Sequence, residues 1–148
     1  MTDVKKAKEL RELIRGLERK IGLVDKNQVT CCGVTMAQCH ALVEIGRAKQ
    51  ITLNELAELL GLDNSTMSRT VNNLVNDGLV IREVHPEDRR YVTIRLTEAG
   101  QKIFAGIESS MDLYYQKVLK EIPEGAREEV LNGLNLLLTA IGKVECCL

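Results

Sequence analysis

Residues 51–100 read ITLNELAELLGLDNSTMSRTVNNLVNDGLVIREVHPEDRRYVTIRLTEAG, and this stretch decides the fold. Thr52 and Glu55 have capping-box spacing, and Leu53, Leu56, Ala57 and Leu60 form one apolar stripe that Gly61 ends as a C-cap. Asp63 is placed to cap a following helix, 64–76, whose Met67, Val71 and Leu74 face inward and whose stop is the pair Asp77-Gly78. Two short helices joined by a tight glycine-containing turn predict a helix-turn-helix. After Gly78 the period changes from 3.6 to 2. The runs 79–85 and 91–96, with Val92, Ile94 and Leu96 on one face, predict a hairpin around the turn Pro86-Glu87-Asp88-Arg89. A hairpin attached to a helix-turn-helix is a winged helix, and Thr97 with Glu98 opens the next helix.

Outward from this unit the chain is helical. Val4, Ala7, Leu10, Leu13, Ile14, Leu17 and Ile21 recur at helical spacing, which predicts a first helix over about 3–20. Residues 22–33 show no periodicity and are expected to form a loop, and Thr35 with Gln38 is a capping box opening a helix over about 36–47. Ile103, Ile107, Met111, Tyr114 and Val118 stripe a long helix to about residue 120, which Pro123 breaks. A last helix to about 144 carries Val130, Leu131, Leu134, Leu137, Leu138 and Ile141. A winged helix of about 60 residues cannot cover three such helices, and a second copy in a C2 dimer is the simplest partner for them. The expected fold class is mainly α with a small β-hairpin wing: a winged helix-turn-helix (35–97) inside one 1–148 domain, flanked by dimerisation helices and a loop (1–34 and 98–148).

The outward positions of the 64–76 helix hold Ser65, Thr66, Ser68, Arg69, Asn72 and Asn73. All can exchange hydrogen bonds with base edges or phosphates, and no acid appears before Asp77. The wing turn adds Asp88, Arg89 and Arg90. An arginine at a hairpin tip suits the negative potential of a narrow minor groove, and an adjacent carboxylate can hold its guanidinium in place. The plainer alternatives are a solvated helix face and an exposed charge cluster worth about 0–1 kcal/mol.

This stretch resembles the MarR family of bacterial repressors, whose hallmark is a D-x-R wing, a short strand and L-T-x-x-G. The hallmark stands here as Asp88-Arg89-Arg90, residues 91–95, and Leu96-Thr97-Glu98-Ala99-Gly100. The resemblance implies a homodimer formed by the terminal helices, with helix 64–76 in the major groove of double-stranded DNA, Arg90 at the minor groove and a pseudo-palindromic operator.

The chain has 148 residues, 45% hydrophobic and 28% charged, which excludes a disordered chain and leaves room for one domain with appendages. Three Tyr and one Phe are the only aromatics, so readers that stack bases on aromatic platforms are excluded in effect. The net charge of -1 hides a polarity: residues 1–20 carry seven basic and four acidic groups, residues 98–148 five and eight. Any polyanion contact therefore belongs to the first two-thirds. No apolar run approaches the roughly 18 residues of a membrane span, and no signal-peptide core is present, so a cytoplasmic protein with no membrane partner is expected.

His40 and His85 stand 45 positions apart in no metal-ligand or triad motif, so no enzyme activity and no required cofactor are expected. The five cysteines include two vicinal pairs and read as free thiols. Cys31, Cys32 and Cys39 are expected in the loop before the second helix and in its first turns, and Cys146 and Cys147 on the C-terminal tail. Clustered thiols suit a thiophilic metalloid or soft metal effector, with oxidation to a disulfide, or a small aromatic ligand in the cleft between winged helix and dimer helices, as alternatives; the plainer reading is Cys39 as a small core residue and the others as incidental surface thiols. The expected function is a repressor released from its operator by such an effector. The competing reading is a thiol-based redox or metal-buffering protein that uses the winged helix as an interaction module.

Overall fold

A computed structural model of the chain describes residues 2–32 and 34–144, and the side chains of all of these except 23–32. Six helices are described: α1 (Asp3–Cys32), α2 (Met36–Ala48), α3 (Leu53–Leu60), α4 (Asn64–Asn76), α5 (Glu98–Glu121) and α6 (Arg127–Lys143), with a 3-10 turn, Glu124–Ala126, ahead of the last. Three strands, β1 (Ile51–Thr52), β2 (Val80–Val84) and β3 (Val92–Leu96), form an antiparallel sheet of order β1-β3-β2. No described helix is long and apolar enough to cross a membrane. The winged helix-turn-helix and the two helices that follow it are as the sequence predicts.

Two local expectations fail. The expected loop is instead helical from Gly22 to Cys32, the last third of α1, and residue 33 lies outside the described residues. Gly22 is only a weak breaker, costing about 1 kcal/mol in a helix interior, and residues 23–32 hold no proline and no turn dipeptide, so a missing apolar stripe is no evidence against helix. Cys31 and Cys32 therefore end α1 rather than lying in a loop. The sheet also has a third strand, because Ile51 pairs with Ile94 and Thr52 with Thr93. Two residues are too few to display a period.

Local chemistry sets the helix boundaries. Thr35 and Gln38 form the full capping box, with Gln38 N–H donating to Thr35 Oγ1 at 3.1 Å and Thr35 N–H to Gln38 Oε1 at 2.9 Å. At α3 only half of the expected box is seen, the Glu55 N–H donating to Thr52 Oγ1. Gly61 ends α3 at φ +66°, and Gly78 turns the chain out of α4 at φ +76°, two positions where a Cβ would be strained.

The chain divides into two compact units, 1–109 and 110–148. The core belongs to the first: Leu42, Ile45, Leu56, Met67, Val71, Leu74 and Ile94 are fully buried. This is an aliphatic core, as the scarcity of aromatics requires. At about 1.5–3 kcal/mol for each large side chain buried, it accounts for most of the driving force of this unit. In the second unit α6 has no buried residue at all, and Leu136 and Leu138 are 73% and 69% exposed.

Candidate nucleic-acid interface

α4 owes its placement to its own sequence. Met67, Thr70, Val71 and Leu74 are buried against the core. The Asp63 carboxylate accepts the Thr66 N–H at 3.3 Å and starts the helix. A hydrogen bond from the Thr66 side chain, aided by the backbone, holds the Asp63 carboxyl below its usual range. Thr66 thus serves the cap, which leaves Ser65, Arg69, Asn72 and Asn73 as the exposed members of the outer face. Ser68 is half-buried, and its carbonyl and hydroxyl face Arg82 Nη2 at 3.3 and 3.5 Å.

Arg82 is the residue at this surface that sequence reasoning overlooked. Strand parity places it on the same face of β2 as the buried Val80, and its long side chain reaches the recognition-like helix beside the core edge. The period-2 pattern of residues 79–85 held that signal. An arginine two residues beyond a buried valine, next to a polar helix, is a cation held between wing and helix.

At the wing, register runs from Val80 opposite Leu96 to Val84 opposite Val92. His85 closes the turn twice. Its N–H donates to the Tyr91 carbonyl at 2.9 Å, and its Nδ1 accepts the N–H groups of Glu87 and Asp88 at 3.2 and 3.3 Å. Asp88 then takes the Arg90 guanidinium on both oxygens, Nε to Oδ1 at 3.0 Å and Nη2 to Oδ2 at 2.8 Å, and accepts the Arg90 N–H at 3.1 Å as well. The hydrogen bond from Arg90 lowers the Asp88 carboxyl, and the same bond raises the guanidinium. Such a two-bond fork fixes direction as well as position. The arginine nevertheless stays 85% exposed, so it is presented rather than consumed. Arg89 is exposed and, among the described residues, has no ion pair. Arg95, by contrast, is held across the hairpin by Glu83 at 2.9 Å.

The outer face of α4 and the Asp88–Arg90 fork thus stand on one unit, joined by Arg82. The cysteine cluster is a different matter. Cys39 is half-buried in α2 and packs against the core. Only the helical backbone of Cys31 and Cys32 is described, and Cys146 and Cys147 lie outside the described residues. Among the described residues, no group of three or more His, Cys, Asp or Glu side chains could hold a metal ion.

A polar helix held by its caps, with a clamped arginine at a wing tip, is the arrangement in the segment that the MarR family model matches, residues 33–90. Over this segment the chain is similar to the MarR family. The likeness extends past the matched segment to the flanking helices. A MarR family protein from Bacillus stearothermophilus has the same fold at a TM-score of 0.87 and 22% identity, over 97% of this chain and all of that one. FabT of Streptococcus pneumoniae, solved in complex with DNA, has it at a TM-score of 0.83 and 19% identity, over 94% of this chain and 99% of that one. YfiV of Bacillus subtilis (strain 168), an HTH-type transcriptional regulator, is 28% identical over 120 residues, 81% of this chain and 75% of the relative. The MarR family hallmark has a physical basis here. Asp88 and Arg90 make the fork. Thr97 N–H donates to the Leu79 carbonyl at 3.0 Å, and Thr97 Oγ1 donates to the Gly78 carbonyl and accepts the Gly100 N–H at 3.1 Å, fastening α5 to the end of α4.

Proposed function

We propose that the protein is a transcriptional regulator that binds double-stranded DNA sequence-specifically as a homodimer. α4 lies in the major groove and Arg90 in the adjacent minor groove. The observation that carries this reading is the Asp88–Arg90 fork, which aims an exposed cation from the wing beside the acid-free outer face of α4. FabT, bound to DNA in its own structure, supports it by analogy of fold. Ser65, Arg69, Asn72 and Asn73 read base edges, with Thr66 and Ser68 shaping the face, while Asp88, Arg89 and Arg90 position the protein on the backbone and groove. A partner copy accounts for the apolar side chains that one protomer leaves in water on its terminal helices. Leu13 of α1 is 66% exposed, Leu113 of α5 60%, and α6 has no buried residue. Two-fold symmetry then calls for half-sites about 34–36 Å apart in a pseudo-palindrome.

The regulator acts in the cytoplasm as a repressor, and its release is triggered by a thiol-reactive effector, a metalloid, soft metal or oxidant. The vicinal pairs Cys31-Cys32 and Cys146-Cys147 support that choice, since paired soft thiolates favour such species. Selection from a random duplex library by the purified protein tests the DNA reading. The expected product is an enriched pseudo-palindrome of about 15–20 base pairs, and an unenriched pool after repeated rounds contradicts it.

A further inference from the structure

Gln38 is a polar side chain closed off from solvent, 7% exposed, beside an aliphatic core. A buried amide is costly unless its donor and acceptor ends are both met, so its partners are informative. Its Oε1 accepts the Thr35 N–H and closes the capping box of α2. Its Nε2 donates to Asp77 Oδ2 at 2.9 Å, 39 residues along the chain. Asp77 is the C-cap of α4, with its own N–H bonded to the Asn73 carbonyl at 2.9 Å. One amide therefore spans the first turn of α2 and the last turn of α4.

We propose that Gln38 is a positioning residue for DNA recognition, fixing the C-terminal end of α4 against the start of α2 and so setting the angle at which Ser65, Arg69 and Asn72 meet the groove. This inference rests on α4 being the recognition helix. Three polar anchors hold α4: the Asp63 cap at its start, Arg82 on Ser68 in its middle, and Gln38 on Asp77 at its end. Only the third joins it to the start of α2. Aliphatic packing between α2 and α4 is non-directional, whereas a hydrogen bond has a preferred length and angle, so the amide holds the orientation that the core alone leaves soft. The side chain must be an amide. The Thr35 end needs an acceptor and the Asp77 end a donor; a carboxylate at position 38 would set two like charges about 3 Å apart.

The test reads preference, the ratio of affinity for the selected duplex to affinity for random duplex, so that a changed surface charge cancels. Gln38→Glu is expected to lower that ratio at least tenfold at pH 7.5, with random-duplex affinity close to wild type and a thermal midpoint lowered by the like-charge pair, which Asp77→Asn raises again. Adding Asp77→Asn to it restores the ratio to within threefold, because the introduced amide donates to the introduced carboxylate. Asp77→Ala, at an exposed helix end where folding is safe, reproduces the loss. Hydrogen exchange at the amides of 74–79 gives a reading without DNA: faster in Gln38→Glu and slow again in the double variant. Wild-type preference in both single variants, a loss that Asp77→Asn does not rescue, or unchanged exchange overturns the inference. A wild-type protein with no sequence preference sinks the DNA reading alone, and the exchange experiment still decides whether Gln38 holds α4.

Discussion

Replacing Gly100 with alanine tests the joint between wing and α5. A methyl group built on Gly100 falls inside hard contact with the Leu79 carbonyl oxygen, and lies 3.1 Å from the Leu79 carbonyl carbon and 3.3 Å from Leu96 Cβ. The oxygen cannot swing aside freely, since it accepts the Thr97 N–H at 3.0 Å. Relief requires the first turn of α5 to retreat by more than about 1 Å to reach ordinary contact distance. Overpacking of this kind costs about 1–3 kcal/mol, and a backbone obstacle puts it near the top of that range. The retreat also weakens the Thr97 bonds to Leu79 and Gly78, at about 1 kcal/mol for one bond lost. Better helix propensity returns at most about 1 kcal/mol. The net expectation is a loss of about 2–3 kcal/mol. In a chain of this size that lowers the thermal midpoint by about 5–10 °C. Circular dichroism melts at one fixed protein concentration measure it, with Gly106→Ala as the control. Gly106 lies in the same helix with open space around its Cα, so alanine there should raise the midpoint. A Gly100→Ala protein as stable as wild type would refute the close approach and the account of the L-T-x-x-G motif.

Other outcomes follow from the same geometry. Arg90→Ala should lower DNA affinity and reduce the slope of log affinity against log salt by about 1, while Arg69→Ala should also relax base preference; equal salt slopes for Arg90→Ala and wild type would remove the wing from the interface. Because the Arg90 hydrogen bond depresses the Asp88 carboxyl, the fork is complete above the unfolded-state value and is lost only as pH falls through the lower folded value. Titration of the Asp88 carboxyl carbon by NMR should therefore give a midpoint below the ordinary value in wild type and nearer to it in Arg90→Ala. Light scattering should find a dimer at micromolar concentration, and Leu134→Glu on the exposed face of α6 should shift it towards monomer. Serine at Cys31, Cys32, Cys146 and Cys147 together should leave DNA affinity intact and abolish release by arsenite or peroxide; release at the same concentration in that variant would exclude these thiols as the sensor.

Features written in local spacing were legible in the sequence. Thr35 with Gln38, Asp63 before α4, Gly61 and Gly78 each act within four residues, so pattern reading finds them and places α2, α3 and α4 to within a residue or two. The Asp88–Arg90 fork was legible for the same reason. What escaped depends on elements distant in the chain. β1 exists because Ile51 meets Ile94, and a two-residue strand has no signature of its own. Arg82 matters because β2 packs beside α4, and Gln38 reaches Asp77 across 39 residues. The extension of α1 through Cys32 escaped for a different reason: the reading relied on an apolar stripe, and residues 22–32 carry none although they hold no proline to end the helix.

The most direct test of DNA recognition is a fluorescence anisotropy titration of the wild-type protein against the selected duplex and a random duplex of equal length, across 50–200 mM salt. A specific regulator should prefer its own site by about 10³ or more. Both affinities should fall steeply with salt as phosphate counterions are released. Equal affinity for the two duplexes at every salt concentration would contradict the assignment of α4 and the wing as a sequence-reading surface.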